Sequence, residues 1–146
     1  MVLFLLLHFQ RKKMSRREKL QKYQKDFENY SILFVDDDKD IRFQMQSILQ
    51  IFFKETFFAS NGLEAISLYK KHKPNFVLSD VTMPKCTGLE MAKILKELDS
   101  KLQIIFLTGH NEKEYENKIA LYGGHHLIKP IHQDKLFAQL IQLLKE

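Results

Sequence analysis

From Ile32 onward the chain alternates short apolar runs with stretches of helical period, and that alternation restricts the possible folds more than any other feature of the sequence. The runs Ile32–Val35, Thr56–Ala59, Phe76–Ser79, Ile104–Leu107 and His126–Ile128 read as strands. Between and after them, Ile41–Phe53, Gly62–Lys71, Leu89–Leu98, Glu112–Tyr122 and Gln133–Lys145 read as helices. Strands separated by helices pair in parallel, because each helical crossover returns the chain to the same end of the sheet. In the last helix Leu136, Leu140, Ile141 and Leu144 recur at helical spacing, so that face packs on the sheet. Five βα units predict an α/β fold, a doubly wound five-stranded parallel sheet, (βα)5, of flavodoxin-like type. Right-handed crossovers then bring every strand C-terminus to one edge.

A chain of 146 residues has room for one such domain and a short extension. The expected division is a basic, helical N-terminal extension at residues 1–30 and the domain at residues 31–146. Residues 1–30 carry eight Lys or Arg against three Asp or Glu, which accounts for the whole net charge of +5, while residues 31–146 carry fifteen of each sign. The basic balance therefore belongs to the extension and says nothing of the domain's ligand. Val2–Phe9 is an apolar run broken only by His8 and followed by Arg11, Lys12, Lys13, Arg16 and Arg17. It is too short to span a bilayer, which takes about 20 residues, and its charges stand on the wrong side for a secretory signal.

Three readings of that run remain: an interfacial anchor making weak membrane-surface contact through residues 1–17, the stub of a longer membrane protein, or translation begun upstream of a start at Met14. From Ser15 to Tyr30 the composition suits a polar helical linker, and Leu20, Tyr23 and Phe27 form one apolar stripe that packs on the domain or on a partner helix. The single cysteine, Cys86, offers neither an internal disulfide nor a zinc site, which points to a reducing, cytoplasmic location. The anchor reading would add the inner membrane face.

Four features fall just beyond predicted strand ends: the run Asp36, Asp37, Asp38; then Asp80; then Thr108; then Lys129 with Pro130 behind it. Singly, each has a bland explanation, since Asp commonly caps a helix and a loop Thr or Lys is usually solvated. Placed after successive parallel strands, they converge on the edge where such folds bind ligands. Carboxylates brought together there raise one another's pKa unless a cation joins them. A hard ion suits an oxygen set without clustered His or Cys, so Mg²⁺ is the expected cofactor. Asp80 can then attack a phosphoryl group to form an aspartyl phosphate. Lys129 can meet a carboxylate oxygen before the transfer and a phosphoryl oxygen after it, and the Thr108 hydroxyl can donate to another.

The blocks ILFVDDD, ASNGLEAI, VLSDVTMPKCTGLEMAK, IIFLTGH and LIKP, in this order and spacing, closely resemble the response-regulator receiver family of two-component signalling, over residues 31–146. The resemblance implies that Asp36 and Asp37 are the metal-binding pair, that Asp80 is the phosphoacceptor, and that Thr82 adds its backbone carbonyl to the metal. It makes Thr108 the switch hydroxyl and Lys129 the lysine that contacts the phosphoryl group, with a cis Lys129–Pro130 bond, and leaves Asp38 to cap the first helix of the domain. Phosphorylation is then expected to shift a population toward an active arrangement of the domain's fourth helix, fifth strand and fifth helix, near residues 108–146. The chain departs from the family pattern in places. His126 stands where the family usually has a switch Tyr or Phe. Cys86 and Thr87 replace a usual hydrophobic and acidic pair, and His110 lies where the family tunes hydrolysis of the acyl phosphate.

The implied partners are a sensor histidine kinase or histidine phosphotransferase upstream and a protein target downstream. Direct DNA binding is not expected, because no residues remain to build a helix-turn-helix module. The expected role is that of a signalling phosphoprotein, not an enzyme: it catalyses only its own phosphoryl transfer and slow autodephosphorylation. The alternative is a receiver-like adaptor that works without phosphorylation, which would tolerate loss of Asp80, Thr108 or Lys129; all three are present. A haloacid-dehalogenase type of enzyme would need a second Asp two residues after the nucleophile, where this chain has Thr82. A dinucleotide site would need a Gly-x-Gly-x-x-Gly turn after the first strand, and there is none.

Overall fold

The structure, a computed structural model, describes residues 13–109 and 113–146. The apolar run Val2–Phe9, His110 and the expected helix start at Glu112 lie outside them. In chain order the elements are α1 (Arg16–Phe27), β1 (Ser31–Val35), α2 (Lys39–Phe52), β2 (Glu55–Ala59), α3 (Gly62–His72), β3 (Phe76–Asp80), α4 (Gly88–Leu98), β4 (Gln103–Thr108), a 3-10 turn (Lys113–Tyr115), α5 (Glu116–Ala120), β5 (His126–Ile128) and α6 (Gln133–Leu144). All strand pairs are parallel, in the order β2-β1-β3-β4-β5. This is the flavodoxin-like doubly wound sheet that the alternation predicts. Among the described residues no helix is long and apolar enough to cross a membrane.

Strand side chains divide between two cores. Leu33, Val35, Val77, Ile104 and Phe106 pack with Ala65, Met91, Leu95 and Ile119 of α3, α4 and α5. Ile32, Phe34, Phe76, Leu78, Ile105 and Leu107 pack with Met45, Leu49, Phe137 and Leu140 of α2 and α6. Both faces of the sheet are covered, so a central strand has no solvated side, and β3 is buried at every position. Polar caps fix where the helices begin. Asp38 accepts the N–H groups of Asp40 and Ile41 at 2.8 and 3.3 Å, and Asn61 accepts that of Glu64 at 2.9 Å. Asp38 thus takes the capping role expected of it, and α2 starts at Lys39, ahead of the predicted Ile41.

The largest departure is the predicted helix Glu112–Tyr122. In its place stand the 3-10 turn and a single α-helical segment of five residues, α5. Ile119 is its one buried residue, so little apolar area holds a longer helix to the sheet. The Leu121 and Tyr122 N–H groups bond three residues back, and Gly123 and Gly124 follow with φ of 104° and 75°. That left-handed pair ends the segment as a C-terminal glycine does.

The stripe on the N-terminal helix packs on the domain. Ser15 caps α1, accepting the Glu18 N–H at 3.1 Å, and the helix lays Leu20, Tyr23 and Phe27 against α2 and α6. The Tyr23 ring stacks on Phe137 with centroids 4.5 Å apart and planes 9° from parallel. Phe27 is fully buried, its ring 5.1 Å from Phe53, 5.6 Å from Phe137 and 6.1 Å from Phe76. Phe27→Ala is expected to lower unfolding stability of the full chain by about 3–5 kcal/mol, the cost of an aromatic removed from a packed core. Urea denaturation measures it; a loss below about 0.5 kcal/mol, the range of ordinary surface substitutions, would mean that the helix is not part of the core.

Candidate functional site

The strand order reverses at β1: the chain leaves it for β2 on one side and later forms β3 on the other. Such a reversal opens a crevice at the strand C-termini. Asp36 follows β1 directly, and Asp80 is the last residue of β3. Carboxylate oxygens of Asp36, Asp37 and Asp80 all lie within 4.8 Å of one another. Lys129, just beyond β5, reaches across the edge, with Nζ 2.9 Å from Asp80 Oδ2 and 3.4 Å from Asp36 Oδ2. Thr108 ends β4, buried, and its carbonyl accepts the Lys129 N–H at 2.8 Å, joining the ends of β4 and β5. The Lys129–Pro130 bond is cis, as the resemblance implies.

The sequence-predicted residues therefore gather, with two placed differently from the rest. Thr82 lies on the surface and gives its backbone N–H to the Asp80 carboxylate. His126 sits exposed on the edge strand β5, opposite Phe106, with Nδ1 3.4 Å from the Gly124 carbonyl oxygen.

Among the described residues the site carries more carboxylate than cation: Asp36, Asp37 and Asp80 face the ammonium of Lys129. Burial raises the pKa of Asp80; Lys129 and the Thr82 N–H oppose that and Asp36 adds to it, and the net direction is up. Burial pulls Lys129 down, but the hydrogen bond and charge of Asp80, with Asp36 behind, carry its pKa above the usual value. A small divalent cation fits this set. Its donors are all oxygens, they are close enough to share one ion, and their surplus negative charge is what such an ion removes.

Sequence reasoning missed Arg42. Its Nη1 donates to the Asp36 carbonyl oxygen at 2.7 Å, while Asp36 Oδ1 accepts the Asp38 N–H at 2.9 Å. The two bonds fix the peptide that carries Asp36 into Asp37. The only trace in the sequence is an Arg one helical turn after the Asp38 cap, which reads as a solvated helix residue. Gly88 is required by close approach, because a Cβ there would overlap the Asp80 carbonyl oxygen. The two unusual loop residues keep ordinary tasks. Cys86 is buried against Gly62, and burial, with Glu90 adding, pushes its thiol pKa up, which keeps it protonated. Thr87 caps α4, accepting the Glu90 N–H at 3.2 Å.

Two buried aspartates bound to one lysine, with a third carboxylate beside them at the switch point of a doubly wound sheet, define an α/β domain with an acidic site at its strand C-termini. The family follows from comparison with known proteins. The model of the response regulator receiver domain matches residues 32–141, and the chain belongs to that family, the receivers of two-component systems. Sporulation initiation phosphotransferase F of Bacillus subtilis is 31% identical over 109 residues, covering 74% of this chain and 88% of that protein. The uncharacterized transcriptional regulatory protein YesN of the same organism is 32% identical over 124 residues, covering 80% of this chain but only 33% of its own length. Among solved structures, chemotaxis protein CheY4 of Vibrio cholerae superposes with a TM-score of 0.72 at 28% identity, covering 79% of this chain and 98% of that one.

The raised pKa of Asp80 has a consequence for stability. Its folded value lies above the unfolded carboxylate value of about 3.9, so between the two the native state holds a proton that the unfolded state has lost. Stability contributed by this group is therefore full below the unfolded value and falls as pH rises through the folded one. Asp80→Asn is expected to stabilise the metal-free protein at pH 7, with the gain vanishing below about pH 4. Thermal unfolding at both pH values tests this, and a variant less stable at pH 7 would show that Lys129 more than balances the carboxylate.

Proposed function

We propose that the chain is a phosphoacceptor in a two-component phosphorelay, with Asp80 accepting the phosphoryl group from a histidine kinase or histidine phosphotransferase. One observation carries this reading: a buried carboxylate bound at 2.9 Å to Lys129 and within 4.8 Å of two further acidic residues. Asp36, Asp37 and Asp80, with the Thr82 carbonyl, would hold Mg²⁺, which supplies charge neutralisation and orients phosphoryl oxygens when bound. An Asp80 oxygen attacks phosphorus as the bond to the donor nitrogen breaks, and the leaving imidazole needs no strong acid. Lys129 turns from carboxylate to phosphoryl oxygen, and the Thr108 hydroxyl donates to another. The added charge of about −1.5 to −2 biases the surface near residues 108–146, including His126, toward a protein target.

In this reading the chain is a cytoplasmic signalling phosphoprotein that catalyses only its own phosphorylation and slow dephosphorylation, and it does not bind DNA directly. The relative named as a sporulation phosphotransferase supports a relay role, since this chain covers 88% of that protein. Incubation with Mg²⁺ and labelled acetyl phosphate is expected to label the parent chain and leave Asp80→Asn unlabelled, with chelation abolishing the signal. Labelling that survives Asp80→Asn, or a folded parent that takes no label, would overturn the assignment and favour an adaptor that works without phosphorylation.

A further inference from the structure

The apolar stripe of α1 finds a partner that the phosphoacceptor reading does not use. Tyr23 stacks on Phe137 of α6 at 4.5 Å and meets Phe52 of α2 edge-on at 6.4 Å. Gln24 donates to the Ile51 carbonyl at 3.4 Å. The N-terminal turn of α1 lies against the first turn of α6, where Arg16, Lys19, Leu20 and Tyr23 line one small cavity with Gln133 and Asp134. Burial, with the Asp134 carboxylate nearby, holds the Tyr23 hydroxyl's pKa above its usual value. The first turn of α6 is also close to the acidic site along the chain. Only Pro130, Ile131 and His132 separate Gln133 from Lys129, whose ammonium binds Asp80 and whose N–H binds Thr108. The family model begins at residue 32, so α1 lies outside the part of the chain that defines the family.

We infer that α1 reports the state of Asp80: the Tyr23–Phe137 stack is fitted to the position α6 takes while Lys129 is bound to Asp80, and a phosphoryl group on Asp80 loosens it. This rests on the phosphoacceptor reading. The connection is short, three residues, and its middle residue Ile131 packs against the core that α2 and α6 share. Lys129 must give up its 2.9 Å contact to meet a phosphoryl oxygen, its backbone is tethered at Thr108, and the displacement passes into the three residues that lead to α6. Packed rings respond to such shifts by changing occupancy, not by stretching. The signal would leave through the N-terminal helix and the basic segment attached to it, a second route besides the surface near residues 108–146.

Coupling of this kind is reciprocal: if the phosphoryl state weakens the hold on α1, weakening that hold must favour the phosphoryl state by the same factor. The test uses the full chain with Mg²⁺ and beryllofluoride as phosphoryl mimic. Amide hydrogen exchange across residues 19–27 of the unaltered chain is expected to speed up about threefold or more when the mimic binds. Tyr23→Ala is expected to bind the mimic about threefold more tightly than the parent, and Tyr23→Phe, which keeps the stacked ring, to match the parent. Unchanged or slower exchange in α1 overturns the inference, as does a folded Tyr23→Ala chain with the parent's affinity. The exchange measurement needs no variant, so it decides the matter if Tyr23→Ala does not fold. A parent chain that fails to bind the mimic overturns the phosphoacceptor reading instead.

Discussion

Charge crowding at the C-terminal edge of the sheet is the condition to which the rest of the structure answers. Asp36, Asp37 and Asp80 stand together at the mouth of the β1/β3 crevice with one lysine among them. Two of the three are buried, so water cannot screen them, and like charges in such a place cost several times what they cost at a surface. Every neighbouring element contributes some relief. Lys129 supplies a full positive charge, Arg42 binds the Asp36 carbonyl, the Asp38 and Thr82 N–H groups bond the carboxylates, and Asp38 itself turns to capping α2. The fold spends stability at this edge and recovers it in the two aromatic and aliphatic cores behind. That arrangement is common where a protein must keep a reactive group ready.

Topology converts this local expense into a site. Parallel strands place successive β-to-α turns at one end, and the reversal at β1 parts two of those turns far enough to leave a crevice. Asp36 and Asp80 come from adjacent strands, with Val35 paired to Ser79 one residue before each. Lys129 comes from the far edge strand and crosses β4's end to meet them. Its backbone bond to Thr108 holds it there. The register thus sets where each strand ends, and the bonds to Arg42, Asp38 and Thr108 hold the first residues beyond those ends.

Much of this was legible in the sequence. Strand and helix order followed from the alternation of periods, and the acidic run, Asp80, Thr108 and Lys129 were visible because each falls directly after a strand. Less visible were features that depend on three-dimensional approach. Arg42 reads as one charged helix residue among several, and only the folded turn shows its guanidinium on the Asp36 carbonyl. The α5 region misled because Glu112–Tyr122 has helix-forming composition, while the decisive facts, one buried side chain and two left-handed glycines, are tertiary and conformational. For α1 the stripe was plain, but a stripe names no partner; Phe27 and Tyr23 found theirs in α2, α6 and β3.

The burial of Phe27 also bears on the order in which the chain assembles. Its neighbours Phe53 and Phe76 lie within about fifty residues of it in the sequence, but Phe137, which closes both its site and that of Tyr23, belongs to the last helix. A chain synthesised from its N-terminus makes α1 before any of these rings exist. The contact with Phe137 spans nearly the whole domain, and contacts of such separation form late because the intervening loop must close first. A helix made before its partner rings is therefore among the last parts of this domain to be seated, and during synthesis its apolar stripe waits in water for α6 to arrive.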